Sequence, residues 1–504
     1  CRWVPDLGYG YGYPLFNYYP PLPYYTGEFI HLIFGISFLD TVKILFGIGF
    51  PLSGIFMYFL AREFWGKTGG FLAGVFYIYA PYHAVDVYVR GAMAEDWALI
   101  WFPLIFLAIY KIIKEEKFYW VYLLALSYGL LLLSHNIMSM LFSVASLAWG
   151  VLWLVQTRKI KKVFRLIFGV LWGVALAAFF FLPVIVEKQY AHTETMTMGY
   201  FNYLAHFATL RQMFIKTEFG WGASVGADDK FPYMIGFFHW IIPLVSLFLA
   251  FIFLRKKKAD WGRLLAIVFG VAFLFGTAFM AHQRSLPIWI RIPMLEYLQF
   301  PWRFLGLVIF FASFSVGSIV IFFKNEKIKI LLTLLLIGGL LYSVKGYFQA
   351  EKWYNITDKD RLTGEAWQLG LTNGIFDYLP IYAHYPPPGP APAEPQILEG
   401  NATIENLEKG TDWQRFGTNV SSESAKIQFP LYDFPGWEVR IDQRKTTIDH
   451  DNFLGLITID VPQGPHKIEA RLTDTPIRKI GNFLTMVALF AFAYVGWKQL
   501  RRKK

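Results

Sequence analysis

Four charged residues lie close together in the segment DVYVRGAMAEDW, residues 86–97. A carboxylate in apolar surroundings can act as a general base, and an arginine can bind a phosphate through two parallel hydrogen bonds. We therefore predict acid–base chemistry at Glu95, Asp96 and Asp86. Arg90 is then the candidate phosphate ligand. The structural alternative makes Asp86 and Arg90 an i,i+4 ion pair and leaves the other two carboxylates to begin a helix.

A histidine and an asparagine, His135 and Asn136, separate two apolar runs with almost no loop between them. Both side chains must then lie at a membrane boundary, where they can face a cavity and bind substrate. A histidine there can also move a proton, although a hydrogen-bonded capping pair is the structural alternative. No second histidine stands at metal-ligand spacing from His135, so we predict no metal site. A requirement for a divalent cation is left open.

The segment LQFPWRF, residues 298–304, puts Trp302 and Arg303 at the start of another apolar run. Arginine is disfavoured on the outer side of a membrane, to which the charge pattern below assigns this segment. A lipid phosphate would compensate the charge, and it suits a guanidinium fork next to a tryptophan. Both residues are therefore candidate substrate ligands. Snorkelling of the arginine to the interface is the structural alternative.

The first residues contain the aromatic run RWVPDLGYGYGYPLFNYYPPLPYY. Tryptophan and tyrosine rings can stack on the apolar faces of sugars, which makes Trp3, Tyr18 and Tyr19 candidate substrate ligands. The glycines and prolines favour an ordered loop that covers a cavity. Aromatic residues also gather at any membrane interface, so simple packing is the alternative.

The elements that would position these residues are membrane-spanning helices. Of the 504 residues, 55% are hydrophobic and 16% are charged, which is too apolar for soluble domains of this size. Runs long enough to cross about 30 Å of hydrocarbon recur along the chain. They predict about eleven spans, at 41–61, 69–83, 97–113, 119–134, 137–156, 163–186, 235–254, 263–281, 303–323, 328–344 and 480–497.

Short basic segments on alternate sides of these spans predict which face of the membrane is cytoplasmic. Such segments include RKIKKVFR at 158–165, RKKKADWGR at 255–263 and the tail KQLRRKK at 498–504. The net charge of +11 is therefore a topology signal and does not indicate nucleic-acid binding. With eleven spans the C-terminus is cytoplasmic, and the candidate site residues face outwards. The cytoplasmic loops are too short for a nucleotide-binding domain, and no P-loop motif occurs.

The composition divides the chain into four parts. These are a polytopic helical domain (1–345), an extracytoplasmic mixed segment with the linker PPPGPAPAEP (346–424), a β-rich part (425–479), and a final span with a basic cytoplasmic tail (480–504). Short alternating runs at 425–432, 436–442, 455–462 and 466–473 predict strands, and PQGP at 462–465 predicts a hairpin turn. We expect these strands to form a β-sandwich on the extracytoplasmic face.

Cys1 is the only cysteine, so no intramolecular disulfide can form, although large parts of the chain are predicted to face outwards. This pattern favours the cell membrane of a bacterium or an archaeon. The chain begins without a signal peptide, and we expect one further span to precede Cys1.

The order of these segments resembles one known family. RWVPD…GYGYPLFNYYPPLPYY is followed by YVRGAMAEDWAL, LSHN and QFPWRFL, and then by FPGWEVRID…DVPQGPHKIEARLTDTPIRKIGN. Over nearly the whole chain they resemble the bacterial integral membrane family named 6-pyruvoyl-tetrahydropterin synthase-related. The helical region of that family is similar to lipid-dependent glycosyltransferases of the GT-C type.

The resemblance implies transfer of a sugar from a polyprenyl-phosphate donor to a glycan, lipid or protein acceptor of the cell envelope, on the extracytoplasmic face. In GT-C enzymes the principal catalytic acid usually lies in the first external loop, and we expect that stretch to precede Cys1. The carboxylates of residues 86–97 remain the candidate acids of this chain. Arg90 and Arg303 are the candidate phosphate ligands.

Two other functions fit the same sequence. A transporter or flippase for lipid or polysaccharide would also have many spans and an external cavity. It should carry ionisable residues near the bilayer midplane, where each costs about 2.5–3.5 kcal/mol on insertion scales, and the middle thirds of these spans hold almost none. A non-catalytic envelope assembly protein would present its β-domain to partners, which fits the C-terminal part.

Overall fold

The computed structural model describes residues 2–224, 230–255 and 260–501, and apolar runs of the sequence form most of its helices. Cys1 and parts of two basic segments, residues 256–259 and 502–504, lie outside the described residues. The α-helices in chain order are α1 (Leu15–Tyr18), α2 (Leu22–Phe34), α3 (Phe38–Ile78), α4 (Pro81–Ala84), α5 (Met93–Lys114), α6 (Tyr119–Ser134), α7 (Asn136–Thr157), α8 (Val163–Leu176), α9 (Ala178–Val186), α10 (Leu210–Phe214), α11 (Phe237–Phe253), α12 (Trp261–Met280), α13 (Leu286–Arg291), α14 (Leu305–Val316), α15 (Glu326–Val344), α16 (Asp358–Leu362), α17 (Gly364–Gly370) and α18 (Pro476–Arg501).

Many of these helices are long and apolar enough to cross a membrane. Among the described residues seven helices meet this criterion, or eight if Ile160–Leu176 and Ala178–Tyr190 count as one broken span. α6 and α11 are apolar but shorter. The pattern fits a multi-pass membrane protein. The predicted span 163–186 is two helices rather than one, because α8 ends at Leu176 and α9 begins at Ala178.

α3 is a hairpin of two helices. Gly66 interrupts it with φ 74° and ψ −178°, a conformation that glycine adopts without the clash of a Cβ. The chain then turns back, so that the backbones of Gly54 and Gly74 lie against each other. The predicted spans 41–61 and 69–83 lie largely on the two limbs of this hairpin.

The chain separates into two compact units. The helical unit consists of Pro20–Ala177 and Thr197–Asn355, and the sheet unit consists of Cys1–Tyr19, Ala178–Met196 and Ile356–Lys504. The sheet unit thus combines three segments that are far apart in sequence. Composition alone cannot detect such a unit, because contacts between distant segments leave no local pattern.

α5 and α14 run through the centre of the helical unit, and both are buried along most of their length. Phe106 and Phe310 join them, with ring centres 4.9 Å apart in an edge-to-face contact. Both helices begin at the same end of the unit. Glu95, in the first turn of α5, lies 3.6 Å from Arg303, which directly precedes α14.

The sheet unit contains one antiparallel sheet. Its strands follow in the order β1-β3-β6-β4-β5, and β2 also pairs with β3. The sheet begins directly after the proline-rich linker. The strands are β1 (Gln396–Glu399), β2 (Ala402–Lys409), β3 (Trp413–Tyr432), β4 (Trp437–Ile441), β5 (Arg444–Lys445) and β6 (Leu456–Leu472).

The predicted hairpin turn at 462–465 is wrong, because β6 continues through it as one strand. β3 pairs with β6 on both sides of this point, with Ser424 opposite Pro462 and Val420 opposite Gly464. The register shifts between these pairs, because residues 421–423 of β3 lie opposite the single residue Gln463 of β6, so β3 carries the bulge. The strands form one hydrogen-bonded network, and the two-layer sandwich stays a prediction.

A buried ion pair connects the three segments of the sheet unit. Glu187 and Arg478 are each 1% exposed, and Arg478 Nε donates to Glu187 Oε2 at 3.0 Å. Asn17 donates to the same oxygen at 2.9 Å, and the hydroxyl of Thr475 donates to the other oxygen. The charges are therefore compensated by hydrogen bonds within the unit, as burial of an ion pair requires.

Candidate functional site

A π-helical turn, Val85–Val89, carries Asp86 and leads to Arg90. Arg90 Nη1 donates to Asp86 Oδ1 at 2.5 Å, so the predicted i,i+4 ion pair is present. Gly91 has a φ of 59°, in the left-handed region that glycine enters most readily. This residue ends the turn and lets α5 begin at Met93.

Glu95 lies at the centre of a charged cluster and is only 1% exposed. The hydroxyl of Tyr82 donates to its Oε1 at 2.7 Å, and Arg90 Nη1 donates to its Oε2 at 2.8 Å. Arg303 Nε lies 3.6 Å from Oε2. These partners compensate a carboxylate that would otherwise be costly to bury. We call Tyr82, Asp86, Arg90, Glu95 and Arg303 the Arg90 cluster.

Arg90 is held on one side of its guanidinium group and open on the other. Nη1 contacts both carboxylates of the cluster, and Cζ lies 4.6 Å from the ring centre of Trp302. Within the described part of the chain, its Nε and Nη2 have no hydrogen-bond partner. Burial alone would lower the pKa of Arg90, but Glu95 and the other nearby groups more than offset it. The pKa is therefore raised, and the side chain stays charged.

Arg303 is positioned by the 3₁₀ turn Pro301–Phe304, which directly precedes α14. Its Nη1 donates to the carbonyl oxygen of Leu298 at 2.8 Å and to Oε1 of Gln299 at 3.0 Å. These bonds fix the guanidinium group beside Glu95. The sequence predicted Arg303 as a ligand for a lipid phosphate, and the structure places it as a second cation beside the same buried carboxylate.

An open pocket of about 420 Å³ borders the Arg90 cluster. Its volume lies within the roughly 300–1,000 Å³ that small-molecule sites usually have. Arg90 and Ser224 bring a charged group and a hydroxyl to its lining. Trp302 and Phe300 stack in its wall with ring centres 4.7 Å apart. The aromatic residues of the lining are Tyr200, Trp221, Phe231, Phe300 and Trp302.

Asp96 lies in a different environment from Glu95. It is fully buried, and neither of its side-chain oxygens has a hydrogen-bond partner among the residues that the structure describes. His83 Nε2 lies 3.6 Å from Asp96 Oδ1, and His83 Nδ1 lies 2.7 Å from the carbonyl oxygen of Tyr77. Gly49 leaves room for the carboxylate, because a Cβ at this position would collide with it.

His135 caps the N-terminus of α7. Its Nδ1 accepts a hydrogen bond from the backbone N–H of Met138 at 3.1 Å, so the capping alternative describes this side chain. Burial lowers the pKa of His135 to about 3, against the opposing effect of Glu95. The imidazole is therefore neutral at neutral pH. Asn136 is the first residue of α7 and is partly exposed.

The three aromatic candidates near the N-terminus belong to the sheet unit. Trp3 and Tyr18 are buried in its core, where Trp3 packs edge-on against Trp437 at 5.5 Å and Tyr18 stacks on Tyr378 at 5.2 Å. Tyr19 is partly exposed. The packing alternative thus describes Trp3 and Tyr18, and sugar binding by these residues stays a prediction.

Sequence reasoning did not find Tyr82 or most of the pocket lining. Tyr82 lies four residues before Asp86, so its place one helical turn away was the available signal. Ser224 and Phe231 belong to a long loop, and only tertiary structure brings them to Trp302, whose ring centre lies 4.4 Å from that of Phe231. No local pattern could have shown this.

The site suits an anionic ligand with an attached ring. Nε and Nη2 of Arg90 form a fork that can donate two hydrogen bonds to a phosphate. The first turn of α5 lies beside it, and helix N-termini favour negative charge. Aromatic walls suit the C–H face of a sugar. Within residues 2–224, 230–255 and 260–501, no three His, Cys, Asp or Glu side chains are grouped to hold a metal ion.

Comparison with known families agrees with the sequence resemblance. The model of the 6-pyruvoyl-tetrahydropterin synthase related domain, described as a membrane protein, matches residues 16–350. This range is more than half of the chain and contains the whole Arg90 cluster, whereas the sequence resemblance was expected to extend over nearly all of it. No curated protein matches the chain. The chain therefore belongs to the 6-pyruvoyl-tetrahydropterin synthase-related family of membrane proteins.

Proposed function

We propose that this protein is a membrane glycosyltransferase of the GT-C type. It would take a sugar from a polyprenyl-phosphate donor and transfer it to a glycan, lipid or protein of the cell envelope. One observation carries the proposal: the guanidinium group of Arg90 is fixed by carboxylates on one side and borders an aromatic pocket on the other.

The donor phosphate would bind to Nε and Nη2 of Arg90. The cluster contains two arginines and two carboxylates, so its affinity for phosphate would rest on directed hydrogen bonds rather than on net positive charge. Because the guanidinium group is already held in place, binding costs little side-chain entropy. A lysine could not replace it, since an ammonium group lacks the planar fork.

The sugar would lie in the aromatic pocket beside the phosphate. Tyr200 lines the pocket and is 48% exposed, so its ring can offer an apolar surface to the C–H face of a pyranose, whereas Trp302 and Phe300 are 2% and 6% exposed and stack on each other in the wall. The pocket volume of about 420 Å³ suits a single sugar with its phosphate rather than a long glycan. The acceptor would therefore approach from the open side of the pocket.

The carboxylates take different roles in this proposal. Glu95 and Asp86 position Arg90, because both contact it and neither lines the pocket. The attacking hydroxyl of the acceptor needs a proton acceptor. Asp86, Glu95 and Asp96 are all buried and none of them lines the pocket, so we rank none of the three ahead of the others for this step. A bound divalent cation is compatible with the proposal.

The proposal includes a definite topology in a bacterial or archaeal cell membrane. Eleven spans, with the limbs of α3 counted separately, would put the C-terminus in the cytoplasm. The strands would form a β-sandwich on the extracytoplasmic face, where the donor and the acceptor meet. The positive-inside rule supports this orientation, because the segment 158–165 and the C-terminal tail are both basic.

A transfer assay with the full-length protein in membranes tests the proposal. Membranes that contain the parent protein or Arg90→Gln are incubated with labelled polyprenyl-phosphate hexoses, and the transferred label is counted. Glutamine keeps a polar side chain but loses the charge and the fork. We expect transfer to fall about 100-fold, because two charge-assisted hydrogen bonds of about 1.5 kcal/mol each are lost.

Arg291→Gln is the matched control, because Arg291 is an exposed arginine of the same unit and, among the described residues, donates only to the carbonyl oxygen of Pro287. It should transfer sugar at the parent rate. Equal transfer by Arg90→Gln and the parent would remove Arg90 from the donor site. If the parent moves the labelled lipid across the bilayer and transfers no sugar, the protein is a flippase instead.

A further inference from the structure

Ser224 lines the pocket and belongs to a chain of hydrogen bonds that the Arg90 cluster does not use. Its Oγ lies 2.9 Å from Nδ1 of His206, and Trp302 Nε1 lies 3.0 Å from the same Oγ. Nε2 of His206 lies 2.5 Å from the carbonyl oxygen of Tyr200. Ser224 and His206 are each 1% exposed, so this chain is shielded from bulk solvent.

The direction of each bond follows from the chemistry of its ends. A carbonyl oxygen can only accept a hydrogen bond, so Nε2 of His206 is protonated and donates to the carbonyl oxygen of Tyr200. In a neutral imidazole the other nitrogen then has no proton, so Nδ1 accepts and the hydroxyl of Ser224 donates to it. An indole N–H can only donate, so Trp302 donates to the Oγ of Ser224.

Ser224 therefore has no donor left for a ligand. Its single proton is given to His206, and one of its two lone pairs receives the proton of Trp302. Among the described residues no further hydrogen bond to this oxygen is present, so one lone pair remains on a residue that belongs to the pocket lining. A ligand group in contact with this oxygen must donate a hydrogen bond. A group that can only accept would meet an oxygen of like polarity at this position.

We propose that Ser224 is a specificity-determining residue that accepts a hydrogen bond from one hydroxyl of the bound sugar, with His206 fixing its polarity. This inference rests on the proposed function, because it names the sugar end of a ligand whose phosphate is held by Arg90. The substrate class is then a hexosyl phosphate with a free hydroxyl at the ring position that reaches Ser224.

Binding of soluble hexose 1-phosphates to the full-length protein in detergent tests the inference. The probes are the 1-phosphates of glucose, galactose and mannose, each with its monodeoxy-fluoro analogues. Fluorine cannot donate a hydrogen bond. We expect substitution at one ring position to weaken binding about 10-fold, because it leaves the Ser224 oxygen unpaired. The other positions should matter less.

The Ser224→Ala variant separates this role from general packing. It should bind the parent sugar about 10-fold more weakly and lose the fluorine penalty at that one position, as a double-mutant cycle requires for a direct contact. Ser246→Ala is the matched control, because Ser246 is a fully buried serine in α11. The Ser246→Ala variant should lose as much affinity on fluorine substitution as the parent protein does.

His206→Phe tests the fixed polarity. Without the histidine acceptor the Ser224 hydroxyl is released to donate, so the fluorine penalty should shrink while Ser224 itself is intact. The inference is overturned if fluorine weakens binding at no ring position. It is also overturned if fluorine weakens binding of the Ser224→Ala variant as much as that of the parent. Hexose phosphate binding that does not weaken in Arg90→Gln would instead overturn the proposed donor site, so the two failures are distinguishable.

Discussion

Arg90 shows how a buried charge can be prepared for a ligand. Asp86 and Glu95 take one nitrogen of the guanidinium group, Trp302 covers its face, and the remaining two nitrogens have no partner in the part of the chain that the structure describes. Such an arrangement presents directed donors without a large excess of positive charge. Binding of a phosphate to Arg90 should depend only weakly on salt concentration, because salt screens a largely buried pair of charges much less than an exposed one.

Glu95→Gln distinguishes a positioning role from a catalytic one. The neutral side chain can still bond Tyr82, but it no longer compensates Arg90 and Arg303. We expect the free energy of unfolding to fall by about 3 kcal/mol, because one partner of a buried ion pair is removed. Affinity for hexose 1-phosphate should fall with it, whereas the rate of transfer at saturating donor should change less. Denaturation, binding and transfer assays measure the three effects.

Glu218→Gln is the control for this change, because Glu218 is 86% exposed in its side chain. The Glu218→Gln variant should have the same free energy of unfolding and the same affinity for hexose 1-phosphate as the parent. If Glu95→Gln abolishes transfer at saturating donor and leaves affinity unchanged, Glu95 is the base and its positioning role is wrong. That result would favour the prediction from the sequence that Glu95 takes part in acid–base catalysis.

Sequence reasoning found the charged residues of the site and missed its walls. Charges at membrane boundaries are costly, so Asp86, Arg90, Glu95 and Arg303 stand out from apolar neighbours. An aromatic such as Phe231 does not stand out in a chain with 19% aromatic residues. Which of them line a pocket depends on tertiary contacts that no local spacing reveals.

Close helix packing in the helical unit depends on glycines that face each other. A Cβ on Gly317 would collide with the carbonyl oxygen of Gly69, and a Cβ on Gly69 would lie 2.5 Å from the carbonyl oxygen of Gly317. Backbone atoms cannot move aside as a flexible side chain can. The second limb of α3 and the 3₁₀ segment Gly317–Phe322 can therefore approach this closely only without side chains at these positions.

Gly317→Ala should lower the stability of the protein by about 1–3 kcal/mol, because the added methyl group overpacks this contact. Gly338→Ala is the matched control, since Gly338 lies inside α15 with no heavy atom within 4 Å of an added Cβ. It should leave the melting temperature unchanged or raise it. Thermal unfolding in detergent measures both. An unchanged melting temperature in Gly317→Ala would contradict this, because it would mean that the second limb of α3 and the segment Gly317–Phe322 can move apart at little cost in stability.

Elements with strong local patterns were the predictable ones. Apolar runs predicted helices such as α5 and α7, because burial in lipid needs a continuous apolar segment. The PQGP motif predicted a turn that does not form, because β3 bulges opposite it and pairs with β6 on both sides of this point. Alanines occupy the break between α8 and α9 at positions 177 and 178, and the nearest helix-breaking signal is Pro183, five residues further along inside α9.

The whole molecule combines a helical unit and a sheet unit, and the proposed function needs the sheet unit outside the cell. Accessibility of single cysteines tests this in a Cys1→Ser background. Ser421→Cys lies in the exposed part of β3, and Lys161→Cys lies in the basic segment 158–165. We expect a membrane-impermeant maleimide to label Ser421→Cys in right-side-out vesicles and Lys161→Cys only after permeabilisation. The reverse pattern would contradict the topology and the proposed donor together.

The most direct test of the Arg90 site is a structure of the full-length protein bound to a short-chain prenyl-phosphate hexose. We expect a phosphate oxygen at about 2.7–3.2 Å from Nε or Nη2 of Arg90, with the sugar ring against the exposed aromatic lining of the pocket, such as Tyr200. A phosphate bound elsewhere, with the aromatic pocket unchanged and without ligand, would contradict it.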